Sequence, residues 1–231
     1  MAFFDATKDF DSAIAEIDLL IPKGGAGGDA DSTHLKAAIV LLGAKLEAYV
    51  ENIIEEYSES LAQRSPKAKH ISEEVKKNST IFLLSKLSSN FSPTPVALES
   101  LNAAANMWNA ESTIEKLVVN NKFNYGKHGS KELQSLFSRI GFGDIYARCL
   151  ITVDTSESLT SSSANKGSVS ADIDSLTNIR NNIIHTDANP AALTRRDVLK
   201  YRNSIWEFCF QVDLMLQRAL EALDVVLAGE R

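Results

Sequence analysis

The chain has 231 residues, 44% hydrophobic and 23% charged, enough apolar content for one sizeable core and against wholesale disorder. A formal net charge of −6 excludes a protein that coats nucleic acid through bulk electrostatics and leaves room for a local basic site. Cys149 and Cys209 lack CxxC spacing and sit in apolar-periodic surroundings, so they read as reduced core residues of a cytosolic protein, not as metal ligands.

Phe3, Phe10, Ile14, Ile17 and Leu20/Ile21 recur at helical spacing and predict a first amphipathic helix. The acids interleaved in MAFFDATKDF argue against a signal peptide. No later segment has the apolar length of a membrane span, so a soluble cytoplasmic protein with no membrane partner is expected. Pro22 and GGAGG at Gly24 to Gly28 end the first helix. These glycines follow a helix, not a strand, and lack a GKS or GKT ending, which reads as a hinge rather than a phosphate loop. Residues 1–31 are therefore expected to form an N-terminal helix and hinge, and residues 32–231 the main helical domain.

Asp31 or Ser32 is placed to cap a long second helix, in which Leu35, Ile39, Leu42, Leu46, Val50, Ile53 and Tyr57 keep helical spacing to about Leu61. Glu47, Glu51 and Glu55 run along its flank as a solvated face would, but Glu47 borders the apolar stripe and is placed to reach a buried cation. Shorter periodic pieces at 71–75, 81–87, 96–107 and 114–119 predict several short helices. GKHGS at Gly126 to Ser130 reads as a second hinge. In SKELQSLFSRIGF, Leu133, Leu136, Phe137 and Ile140 form one face, with Gly141 as a C-cap and another short helical piece over 142–150. Residues 152–170 have almost nothing to bury and predict a mobile surface loop, either a linker or a gate for the helix after it.

The next stretch, IDSLTNIRNNIIH at Ile173 to His185, is the unusual one. At about 100° per residue Ile173, Leu176, Ile179, Ile183 and Ile184 occupy an arc of roughly 140°, and Arg180 projects from inside it. Asn181 and His185, four apart, lie at its edge. A guanidinium in an apolar stripe is costly unless a carboxylate, carbonyls or a ligand phosphate satisfies it, and Glu47 is the candidate partner. A turn-rich break around Asp187, Asn189 and Pro190 precedes a capping box from Thr194 to Asp197, which opens a final helix reaching about Leu227. Apolar residues of that helix point in most directions, as a subunit interface would require. Nothing alternates at strand period, so the expected fold is an all-α helical bundle with additional short helices.

None of His34, His70, His128 and His185 pairs at HExxH spacing, and there is no GxSxG elbow, so neither a metal, nor another cofactor, nor a serine nucleophile is expected. Arg180, Asn181 and His185 remain: a bidentate phosphate binder, a carboxamide and a group that moves protons near neutrality. Those are the parts that RNA cleavage by the ribose 2′-hydroxyl requires. One histidine cannot easily serve both faces of an in-line displacement, whereas two copies across a twofold axis supply two. Arg195, Arg196, Lys200 and Arg202 either guide RNA phosphates to that cleft or form an ordinary exposed basic turn.

Arg180-Asn181-Asn182-Ile183-Ile184-His185 matches the RNxxxH form of the Rx4-6H signature of HEPN domains. Together with HLKAAIVLLGAKLEAYVENIIEEY, KELQSLFSRIGF, a variable loop and a long last helix, it resembles the RiboL-PSP-type branch of that superfamily over roughly residues 32–227. The resemblance implies a homodimeric, metal-independent endoribonuclease of a defence, toxin or RNA-processing system, leaving 2′,3′-cyclic phosphate and 5′-hydroxyl ends. It implies His185 as acid or base, Arg180 as the phosphate-holding residue, Asn181 as the polar residue after it and Glu47 as an acidic residue on the early helix. Thr186, Asp187 and Ala188 stand where one toxin sub-family carries a tyrosine that an antitoxin partner nucleotidylates. The rival expectation is a non-catalytic module that binds RNA, nucleotide or a partner protein in the same cleft.

Overall fold

A computed structural model describes residues 3–22, 29–88, 94–124, 128–149, 167–186 and 193–230. These residues form eight α-helices and no strand. In chain order they are α1 (Asp5–Leu20), α2 (Asp29–Gln63), α3 (Glu73–Ser88), α4 (Pro95–Asn106), α5 (Ser130–Ser138), α6 (Ile145–Arg148), α7 (Gly167–Thr186) and α8 (Arg195–Gly229).

The central element is α2, which packs against α1, α5, α7 and α8. Every residue of its predicted stripe is buried: Leu35, Ile39, Leu42, Leu46, Val50, Ile53, Tyr57 and Leu61 all join one continuous core. The helix begins at Asp29, however, so Asp31 and Ser32 lie inside its first turn and not at a cap. Tyr49 ties α2 to α8 by donating its hydroxyl to the Cys209 carbonyl at 2.7 Å.

The first helix has no cap of its own and is held by carboxylates from its neighbours. Glu56 of α2 accepts the Asp5 and Ala6 N–H groups, each at 2.8 Å. The fully buried Asp213 of α8 accepts Phe4 N–H at 3.0 Å and the Thr7 hydroxyl at 2.6 Å. An anion at a helix N-terminus satisfies otherwise unpaired donors and meets the positive end of the helix dipole.

Several expectations are corrected. The pieces at 71–75 and 81–87 belong largely to one helix, α3. Residues 114–119 are not helical: they form a strap without regular secondary structure, entered through a bridge between Lys67 and Thr113 and an Ile114 N–H on the Pro66 carbonyl. Ile114, Val118 and Val119 are β-branched and resist helix, and Ile114, Leu117 and Val119 are buried instead. The face of Glu47, Glu51 and Glu55 is not simply solvated, because Glu51 accepts Phe123 N–H at 3.3 Å and pairs with Lys122 at 2.6 Å. Asn121 donates to the Glu51 carbonyl and to Glu55.

Of the GKHGS stretch, the described residues 128–130 are anchored: Asp174 of α7 accepts both Ser130 N–H and the Ser130 hydroxyl at 2.8 Å. Gly141, at φ +92, closes the turn after α5 as expected of a C-cap glycine. Residues 167–170, assigned from sequence to the loop, are the first turn of α7; the rest of that loop and the break at 187–192 lie outside the described residues. Thr194 and Asp197 do form the capping box of α8.

Apolar residues of α8 meet α1, α2 and α7. Phe210 stacks on Trp206 and meets Phe3 at a tilt, with ring centroids 5.7 and 5.3 Å away. The apolar excess read from α8 is therefore largely absorbed within the chain. Cys149 and Cys209 are free and buried, and burial pushes the Cys149 thiol up to about 12. Among the described residues no helix is long and apolar enough to cross a membrane.

Candidate functional site

The middle of α7 crosses α2 at Gly43, where the Arg180 side chain enters the bundle. A Cβ at position 43 would lie 2.9 Å from Arg180 Cδ, so glycine is what allows the guanidinium stem to lie against α2. One turn further along α2, Glu47 Oε1 sits 3.5 Å from Arg180 Nη1. Asn181 Oδ1 accepts from the same Nη1 at 3.3 Å. The Arg180 and Glu47 side chains are 18% and 25% exposed, so their attraction is screened less than that of a surface pair.

A second cation-capable group shares this carboxylate. His128 Nδ1 lies 3.0 Å from Glu47 Oε1, an electrostatic contact off the axis of a well-directed hydrogen bond. Its ring stacks on Phe123 at 5.9 Å. Arg180 Nε is buried without a hydrogen-bond partner among the described residues, and the adjoining cavity of about 20 Å³ has room for roughly one water.

His185 is elsewhere. It occupies the exposed last turn of α7, five residues beyond Arg180, which is roughly 7.5 Å along the helix and 140° around it. Ile184 beside it is 48% exposed although it belongs to the apolar stripe. Within one chain, then, Arg180, Asn181, Glu47 and His128 come together, and His185 faces outward.

The basic residues of α8 are mostly engaged with their own chain. Arg202 forms two hydrogen bonds with Asp18, at 3.1 and 2.6 Å. Lys200 pairs with the buried Asp172 at 2.6 Å, and Arg195 donates Nε to the Pro22 carbonyl at 2.9 Å. Arg196 is exposed on the first turn. Among the described residues no cluster of side chains is arranged to hold a metal ion.

The sequence model of the family described as RiboL-PSP-HEPN matches residues 8–217. The chain belongs to that family. The match begins within α1 and runs most of the way along α8, so it takes in the whole Arg180 site. As a RiboL-PSP-HEPN protein the chain falls among domains with nuclease or RNA-related roles. No curated protein and no solved structure matches it.

Two site residues escaped the sequence reading. Gly43 carried a signal, an isolated glycine inside the most regular helix of the chain, where a packing reason is the usual cause. His128 carried almost none, because only the fold brings it beside Glu47.

Proposed function

We propose that the protein is a metal-independent endoribonuclease that cleaves RNA by attack of the ribose 2′-hydroxyl at a composite site in a homodimer. The observation that carries this reading is Arg180 braced by Glu47 and Asn181 in a half-buried pocket, with His185 on the adjacent exposed end of the same helix. A guanidinium so held is preorganised to bind phosphate oxygens and stabilise the charge that grows on them. The proton-moving group faces outward, where a twofold mate would present its own copy.

Arg195 and Arg196 lead RNA toward the site. Lys200 and Arg202 contribute less, since Asp172 and Asp18 already compensate their charge. Action in a defence, toxin or RNA-processing system, under an antitoxin or another partner protein, fits a nuclease that must be restrained.

Single-stranded RNA incubated with the purified chain in EDTA tests the reaction. Cleavage to 2′,3′-cyclic phosphate and 5′-hydroxyl ends is expected, and His185→Ala should abolish it without changing the fold. Retained cleavage by that variant would falsify the assignment. RNA bound but left intact by the wild type would identify a non-catalytic binding module.

A further inference from the structure

The pocket that holds Arg180 also holds an imidazole that the Rx4-6H motif does not contain. We propose that His128 is a second proton-transfer residue of the cleavage reaction, working opposite His185 on the phosphate that Arg180 holds. The inference rests on the ribonuclease reading above.

One oxygen, Glu47 Oε1, lies 3.0 Å from His128 Nδ1 and 3.5 Å from Arg180 Nη1, so a single carboxylate holds its negative charge against both the imidazole and the phosphate-binding cation. Nδ1 is buried while the His128 side chain is 24% exposed, so its accessible surface lies away from the carboxylate. With Nδ1 turned to a carboxylate, proton exchange falls to Nε2.

The ring is fixed from both directions along the chain. Phe123 stacks on it and is itself held to α2 through Glu51, while Ser130 is clamped to α7 by Asp174. The charged groups that line the same pocket as His128 are Glu47 from α2 and Arg180 from α7.

His185 lies roughly 140° around α7 from Arg180, so α7 offers no imidazole on the pocket side of that arginine. His128 does. In-line displacement needs proton transfer at two opposite positions. One imidazole, neutral, takes the 2′-hydroxyl proton as the 2′-O–P bond forms. The other, protonated, gives its proton to the 5′-oxygen as the P–O5′ bond breaks. The products are a 2′,3′-cyclic phosphate and a 5′-hydroxyl, and no co-reactant is consumed.

His128→Gln tests this in the full chain on two substrates: a ribodinucleotide and a uridine 3′-(4-nitrophenyl phosphate), whose leaving group needs no proton. On the dinucleotide, kcat should fall by about 100-fold or more, with KM within about threefold and the melting temperature unmoved. Activity preserved on the nitrophenyl ester would make His128 the acid, and activity lost on both substrates the base; either supports the proposal. A dinucleotide kcat within about threefold of wild type overturns it. So does a loss that appears only in KM, or only in step with the folded fraction. If wild type and variant are equally inert on the dinucleotide, the ribonuclease reading itself has failed.

Discussion

At the scale of single residues, the site depends on one absent Cβ. Glycine inside a helix costs about 1 kcal/mol relative to alanine, so Gly43→Ala would ordinarily stabilise α2. Here the added methyl meets Arg180 Cδ at 2.9 Å. The two effects oppose each other in stability but not in function. Gly43→Ala is expected to leave unfolding free energy within about 1 kcal/mol of wild type while lowering RNA cleavage at least about tenfold, as paired denaturation and kinetic measurements would show. Glu47→Ala acts differently, because it leaves the mostly buried Arg180 facing His128 without its carboxylate. We expect a stability loss of about 1–2 kcal/mol, discounted for partial exposure, together with lost cleavage. A melting temperature equal to that of wild type would show that the pair contributes nothing to the fold.

At the scale of elements, α1 is held by borrowed carboxylates, and this gives it a pH dependence. Burial pushes both Asp213 and Glu56 above their ordinary values, against the opposing pull of the N–H groups they accept. A carboxyl whose folded pKa exceeds its unfolded one binds protons more tightly in the native state. Its stabilising contribution is present at low pH and declines as pH rises from the ordinary aspartate value of 3.8 through the raised one. Asp213→Asn cannot ionise, yet its amide oxygen in the place of Oδ2 keeps both the Phe4 N–H and the Thr7 hydroxyl and loses only the acceptor for Gln217 Nε2. Melting curves of the two proteins across that interval should show a constant offset from the lost acceptor, plus a difference that shifts in the variant's favour as pH rises. A pH-independent difference would place the titration elsewhere.

At the scale of the whole molecule, the case for a dimer moves from α8 to α7. Most apolar side chains of α8 are taken up by α1, α2 and α7, its exposed Val225 and Val226 lie near its C-terminal end, and Ile184 is 48% exposed beside His185. If the composite site forms, this end of α7 lies in the interface. Sedimentation at micromolar concentration should therefore report a dimer, and Ile184→Asp, by burying a charge there, should shift it to monomer and abolish cleavage together. An Ile184→Asp protein that remains dimeric would move the interface to another face.

What the sequence determined by itself was whatever depends on local periodicity: the all-α class, the α2 stripe, the capping box at Thr194, and the Arg180 to His185 motif with its misplaced charge. Spacing along a helix sets which face a residue occupies, and that is legible without a fold. The non-helical strap at 114–119, the external caps of α1 and the arrival of His128 beside Glu47 and Arg180 were decided only by tertiary structure. In each, the partner lies tens of residues away, and hydrogen bonds or charge contacts across that distance leave no period in the chain. For the same reason periodicity counted the faces of α8 to be covered without saying that α1, α2 and α7 cover most of them.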